Sequence, residues 1–346
     1  MTAVAILPPE WAPQSGVLLT WPHADSDWAP LLEDAEHCFA EIAREISLRQ
    51  RVLIACNDDA TLHSAQARLS APGARLDQVR FYTAPSNDSW ARDHGPITVL
   101  RDSQAVLLDY RFNGWGGKYK HDRDDQITTR LHAHGAFGAT PIESPGLVLE
   151  GGAIEVNGTG ALLTTARCLR SSTRNPQLSQ SDIEQRLKIQ LGVQTFHWLQ
   201  RGGLEGDDTD GHIDTLARFC SEDTIAYQSC DDAADSHHAE LSAMALELQA
   251  LRQMDGSPYR LHALPWPRAQ YNDEGRRLPA TYANFLIING AVLMPTYNDP
   301  ADALAKTVLR RCFPGREIVG IDCCALIRQF GSLHCVAMQL PAGVVT

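Results

Sequence analysis

The sequence predicts an α/β protein assembled from several copies of a small strand–strand–helix–strand unit arranged around a centre. Apolar runs of strand length alternate with segments whose apolar residues fall three and four apart. No low-complexity linker interrupts that rhythm. Two strand pairs, EVNGTGALL and IINGAVLM, carry Asn-Gly as a hairpin turn signal. Hairpins interleaved with helices are not the pattern of a purely parallel βαβ sheet. The spacing gives no composition break, so residues 1–346 read as one domain.

The elements follow in order. Gly16 to Trp21 (GVLLTW) is a strand, and a helix follows from Trp28 to Arg49. Arg51 to Asn57 is a second strand, Thr61 to Leu69 a second helix, and Val79 to Tyr82 a short strand entering the polar stretch SNDSWARDHGP. Further strands are expected at Ala105 to Asp109, Ala153 to Val156, Ala161 to Thr165, Ala217 to Cys220 and Thr224 to Tyr227. The last ones lie at Ala283 to Ile288, Ala291 to Pro295, Ile318 to Ile321 and Cys335 to Gln339. Helices are expected at Gln126 to His134, Ser181 to Leu191, His237 to Met254 and Pro300 to Cys312. Ser179 and Asp299-Pro300 mark two of their starts.

Composition narrows the function classes. The chain has 346 residues, 44% of them hydrophobic, enough for a sizeable core. No apolar run reaches membrane-spanning length, and the N-terminus does not read as a secretory signal, so a soluble, cytoplasmic protein is expected. The formal net charge is −12 with scattered basic residues, which disfavours nucleic acid. That acidity suits a cationic ligand, and equally serves solubility. Nine cysteines without a regular framework fit reduced thiols, most of them buried.

Four segments combine reactive residue types with turn residues at the ends of apolar runs, where loops on a rigid scaffold often carry function. Asn87 to Pro96 (NDSWARDHGP) offers Asp93 for a cation and Trp90 for stacking on a flat cationic group. A capped turn with an Asp–Arg pair accounts for the same residues. Glu150-Gly151-Gly152 places a carboxylate where backbone or ligand can approach closely, as an ordinary turn also does. In Glu205 to Asp214 (EGDDTDGHID), His212 and Asp214 would share one face of a strand, which suits a general acid/base beside a substrate-orienting carboxylate. This acidic run lacks the full calcium-loop pattern, and a solvated turn is its plain alternative. Phe330 to Met338 holds Cys335 at the junction of a loop and a strand, where a thiol with a lowered pKa or a nearby base could act as nucleophile. The atoms of His212, Asp214, His334 and Cys335 could also make a zinc site, but neither HExxH nor the deaminase His-x-Glu with Cys-x-x-Cys occurs.

Together the four segments resemble the agmatine deiminase family of guanidine-modifying enzymes, to which peptidylarginine and arginine deiminases also belong. NDSWARDHGP, EGGAIEVNG, DTDGHIDT and SLHC occur in the expected order, with FNGWGGKY and TYANFLIINGAVLMPTYNDPAD as further matches, from PPEW to HCVAMQLP. The resemblance implies a five-bladed α/β propeller (pentein) with a central active-site channel. It implies hydrolysis of agmatine to N-carbamoylputrescine and ammonia, in putrescine and polyamine biosynthesis, without metal or organic cofactor. By motif, Cys335 is the nucleophile, His212 the general acid/base, and Asp93 and Asp214 the carboxylates gripping the guanidinium. Glu150 is a further active-site acid, Trp90 and Trp115 line the channel, and Asp208 meets the cationic tail. A homodimer is also implied, though no residue pattern shows an interface.

One departure concerns the loop before the nucleophile. The family commonly has Gly-Gly-Asn-Ile-His-Cys where this chain has Phe330-Gly331-Ser332-Leu333-His334-Cys335. A deiminase of free or peptide-linked arginine is therefore the alternative, and its substrate carboxylate would need basic or amide partners. Asp207, Asp208 and Asp210 suit an ammonium better. A metal-binding or non-catalytic scaffold is the third reading, and the presence of Cys335, His212, Asp93 and Asp214 together speaks against it.

Overall fold

The computed structural model describes residues 4–70 and 73–345. The fold is mixed α/β. Its contacts cluster into two compact units: residues 1–151, 287–290 and 334–346 form the first, and residues 152–286 and 291–333 the second.

Among its described residues, the first unit contains two small sheets. In one, Gln14–Thr20, Arg51–Cys56 and Val79–Thr83 run parallel, and Ala337–Pro341 pairs antiparallel with Gln14–Thr20. The C-terminal strand thus lies beside the first long strand of the chain, which brings the residues around Cys335 into this unit. The central strands are apolar almost throughout, as expected where both faces are covered. Helix Leu32–Ser47 covers one face through Ala35, Cys38, Phe39, Ile42, Ala43 and Ile46, all buried. Phe39 packs edge-on against Trp21 and Trp28 at 5.9 and 6.4 Å between centroids.

The second sheet of this unit is built on a hairpin, Ile97–Arg101 with Gln104–Leu108. Ala5–Ile6 and Ile142–Glu143 flank it. Its two-residue turn is Asp102-Ser103, with φ of +49° and +65°. Those angles belong to the turn type that matches strand twist, which Asp adopts more easily than most residues. Without a glycine, the turn carries little signal in the sequence, and Ile97–Arg101 was not among the expected strands.

The second unit repeats a hairpin, a helix and a parallel return strand. Glu155–Val156 pairs antiparallel with Ala161–Thr165, helix Gln180–Leu191 follows, and Thr195–Leu199 returns parallel. Ser179 and Asp182 form a capping box at that helix start, and Gly192 closes its end at φ +74°. Ala217–Ser221, Thr224–Gln228, helix His238–Ala250 and Arg260–Leu264 repeat the order. Ala291–Thr296, helix Ala301–Cys312 and Glu317–Asp322 repeat the strand, helix and parallel return strand. Among the described residues the strands fall into five sheets, none of them closed.

The strand expected over Ala283 to Ile288 begins only at Leu286, and Ala153 lies in a 3-10 turn before Glu155–Val156. Two further differences concern the candidate site. His212 and Asp214 do not lie on a strand: Ile213–Thr215 is a single 3-10 turn that begins just after His212. Cys335 precedes its strand, which begins at Ala337. The strand expected at Ala217 is present, and for Cys335 an apolar run beside a polar loop suggested a strand start two residues too early.

A buried charge anchors the second unit. Arg218 is fully buried and ion-paired with Glu155, and it donates to the carbonyl of Phe285 at 2.5 Å while lying 4.7 Å from the Phe285 ring centre. Removing one partner leaves the other charge desolvated and uncompensated. Arg218→Ala should therefore lower unfolding free energy by about 3–5 kcal/mol, seen as a clear drop in the urea midpoint.

Candidate active site

In the first unit, the stretch after Asn87 folds as a self-capped turn that aims Asp93 inward. The Asp88 carboxylate accepts from Trp28 Nε1 at 2.7 Å and from the Ser89 N–H at 2.7 Å. Asp124 accepts from the N–H groups of Asn87 and Asp88 at 2.6 and 3.2 Å. Burial pushes the Asp124 carboxyl up to about 8 and the Asp88 carboxyl up to about 6, against those stabilising N–H contacts. Behind this turn comes the short helix Ala91–His94, all four residues buried. Trp90 stacks at a tilt on Trp28, 5.5 Å between centroids, and is a packing residue as much as a lining one.

Asp93 is tied to Trp115, whose Nε1 donates to its Oδ2 at 2.9 Å. Trp115 sits in the left-handed region at φ +55° and ψ +46°, held by Asn113 Oδ1 accepting from the Gly116 N–H and by edge contacts to Phe112 and Tyr119. A bulky residue adopts that conformation only where the surroundings over-determine it, and such positions cluster at functional sites. Gly114 is required beside it, since a Cβ there would lie 2.3 Å from the carbonyl oxygen of Tyr119. This explains the FNGWGGKY run.

Arg92 links Asp93 to Cys335. Its N–H donates to the Cys335 carbonyl at 3.1 Å, and its side chain reaches the His334 carbonyl at 3.4 Å and Gln339 Oε1 at 2.5 Å. Glu10 completes the arrangement. Its carboxylate lies 2.7 Å from His334 Nε2 and 3.6 Å from Arg92 Nη2, and it accepts the Ile287 N–H at 2.6 Å. His334, considered above as a metal ligand, is thus engaged by Glu10. Glu150 is fully buried, and the glycine after it is forced: a Cβ on Gly151 would stand 2.3 Å from the Arg92 carbonyl oxygen.

In the second unit, His212 and Asp214 are both fully buried. The turn before them is organised by its own acids. Asp207 accepts from the Thr209 hydroxyl and from the N–H groups of Thr209 and Gly211. Asp210, at φ +68°, pairs with Arg174 at 2.7 Å. Asp208 pairs with Arg276 at 2.9 Å. The acidic run is therefore not a loose cluster awaiting a cation, because Asp207, Asp208 and Asp210 are each engaged. The Thr209 hydroxyl receives the His212 N–H at 3.0 Å, the Thr215 hydroxyl donates to the His212 carbonyl at 2.9 Å, and Asn284 donates to the Asp214 carbonyl at 3.3 Å. Cys168 Sγ lies within 4.8 Å of a His212 ring nitrogen.

The structure thus places Asp93, Trp90, Trp115, Glu150 and Cys335 in the first unit and His212, Asp214 and Asp208 in the second. Glu10, Arg92 and Arg276 were not singled out from the sequence. Glu10 had a faint signal, an acid in the apolar context PPEWAP; the other two are ordinary arginines until their partners are known.

A Porphyromonas-type peptidyl-arginine deiminase family model matches residues 6–341. The chain belongs to that family. It is 33% identical to the agmatine deiminase of Stutzerimonas stutzeri, over 98% of this chain and 96% of the relative. Among solved structures, the provisional arginine deiminase of Porphyromonas gingivalis is similar at TM-score 0.93 and 48% identity, covering 99% of this chain and 100% of that one. A C. jejuni agmatine deiminase with substrate bound is similar at TM-score 0.90 and 34% identity, covering 98% and 97%. Among the described residues no helix is long and apolar enough to cross a membrane.

Two outcomes test the geometry. Glu10→Ala leaves the buried Arg92 guanidinium without its carboxylate and should cost about 3–5 kcal/mol of stability, measured by urea unfolding. The raised pKa of Asp124 favours the folded state below the ordinary carboxylate range, near 4, and that advantage is lost as pH rises through about 8. Asp124→Asn should therefore gain stability relative to the parent protein as pH rises from about 4 to about 8, read from paired urea midpoints.

Proposed function

We propose that this protein hydrolyses agmatine to N-carbamoylputrescine and ammonia, with Cys335 as nucleophile. The observation that carries the reading is the likeness, over nearly the whole chain, to agmatine deiminases, one of them with substrate bound.

A guanidinium is planar and resonance-stabilised, so water attacks it poorly at neutral pH. Asp93 and Asp214 accept its N–H groups in charge-assisted bonds and fix its plane. Trp115 supports this role for Asp93, because its indole N–H occupies one carboxylate oxygen and orients the other. The positive substrate favours the Cys335 thiolate. The sulfur attacks the central carbon, the C–N bond breaks, and His212 gives a proton to the departing ammonia. Water then attacks the thiouronium carbon as His212 takes its proton, the C–S bond breaks, and the thiolate returns. Glu150 orients His212 or the substrate, and Trp90 and Trp115 line the channel.

Asp208 was expected at the substrate's ammonium end. Arg276 already neutralises it, so a tail ammonium would have to displace that guanidinium. This weakens the sequence argument for agmatine over arginine, and the 48% identity to an arginine deiminase by name favours the second reading. The five sheets, with their repeated hairpin–helix–strand order, support a five-bladed propeller acting as one catalytic domain over residues 1–346. The same reading includes the cytoplasmic location and the homodimer that the resemblance implies.

Offering agmatine, arginine and an arginyl peptide separately, and measuring ureido product and ammonia, tests the substrate. Agmatine should turn over fastest; turnover of arginine alone transfers the assignment to the second reading. Cys335→Ser should reduce turnover about 10⁴-fold or more, and near-normal activity would remove the covalent route.

A further inference from the structure

The second unit contains a contact between the two loops that lead into the proposed acid/base and nucleophile, and its centre is Arg276. The guanidinium of Arg276 donates to Asp208 Oδ1 at 2.9 Å, in the turn that runs into His212. The same guanidinium carbon lies 4.0 Å from the centre of the Phe330 ring, in the segment that runs into Cys335. That distance is within cation–π range. The turn carrying Arg276 is tied to both sides a second time. Asp273 accepts from Arg328 Nη2 at 2.7 Å. On the other side, a Cβ on Gly206 would lie 2.4 Å from the Arg277 carbonyl oxygen, so the two backbones touch. Arg277 is fastened in turn by two bonds to Asp235, at 3.0 and 2.6 Å.

Phe330 itself points to a local demand. It stands at φ +64°, a conformation that L residues with side chains rarely adopt and glycine takes freely. The family motif given above has glycine here, whereas this chain places an aromatic ring on a backbone conformation that does not favour one. The ring lies against the Arg276 guanidinium. Exposed ion pairs contribute little to global stability. Arg276 and Asp208 are both partly exposed, with side-chain accessibilities of 47% and 24%. A role in local loop placement explains the stack better than a role in folding.

We propose that Arg276 is a positioning residue: through Asp208 and Phe330 it holds the approach to His212 and the approach to Cys335 in register. Asp208 then acts through Arg276 and not on the substrate. The inference rests on the roles given above to Cys335 and His212. It adds a constraint at the loop where this chain departs from the family motif.

The test uses Arg276→Ala, Arg276→Lys, Asp208→Asn, Phe330→Gly and the Asp208→Asn/Arg276→Ala double variant in the full-length protein. Steady-state kinetics with agmatine are paired with the rate of Cys335 alkylation by iodoacetamide, located by peptide mass spectrometry. A small misplacement of reacting groups is costly, so Arg276→Ala should lower kcat about tenfold while KM and Tm stay close to the parent values. Phe330→Gly suits its φ without strain and should show the same kcat loss. The double variant should be no worse than Arg276→Ala, Arg276→Lys should recover most of the activity, and Cys335 should alkylate severalfold faster in Arg276→Ala. Unchanged kcat or alkylation in Arg276→Ala, multiplicative losses in the double variant, or a KM rise at constant kcat would each overturn the proposal. If the parent protein fails to turn over agmatine, the substrate reading falls, and the alkylation rates alone decide the clamp.

Discussion

A carboxylate withdrawn from water has to be answered by charge and hydrogen bonds, and Glu10 imposes that constraint on the first unit. Its two oxygens collect His334, Arg92 and the backbone of Ile287. These partners come from the C-terminal segment, the NDSWARDHGP stretch and the short segment of residues 287–290. His334 and Arg92 are the immediate neighbours of Cys335 and Asp93. One buried acid, Glu10, therefore fixes where the proposed nucleophile Cys335 and the proposed guanidinium carboxylate Asp93 stand, without being either. The Arg92 N–H on the Cys335 carbonyl makes the same link through the backbone.

The second unit solves its problem differently. Its acids precede His212 in an unbroken polar run, and each is consumed by a local partner: Asp207 by turn N–H groups, Asp208 by Arg276, Asp210 by Arg174. The effect is to organise the turn that leads into His212 and Asp214, both buried where electrostatic interactions are stronger than in water. The cost is that few of these acids remain for a substrate's cationic end. The residues expected to treat the guanidinium keep their roles in the proposal. Selectivity along the substrate's length must come from other groups.

The sequence made the alternation of strands and helices legible, because the burial that creates it is periodic. Ala161–Thr165 is where the pattern placed it, and helices Leu32–Ser47 and Ala301–Cys312 lie within a few residues of their expected bounds. Elements with weak local signals were not legible. The hairpin at Ile97–Leu108 turns on Asp102-Ser103 in place of Asn-Gly, and the short helix at Ala91–His94 depends on Trp28, Asp88 and Asp124 for its placement. The residues proposed for the candidate site could be picked out because the proposed chemistry needs particular atoms. Their supports were not, since Glu10 finds Arg92 and His334 only through the fold, and Asp208 looks free until Arg276 is seen beside it.

The central claim is that the sulfur of Cys335 bonds to the guanidinium carbon. Rapid acid quenching during turnover of agmatine, followed by peptide mass spectrometry, tests it most directly. The account predicts a transient adduct on the peptide carrying Cys335, with the mass of agmatine less ammonia, that decays as N-carbamoylputrescine accumulates. Turnover of agmatine with no such adduct at any quench time, or an adduct confined to another cysteine, would contradict it.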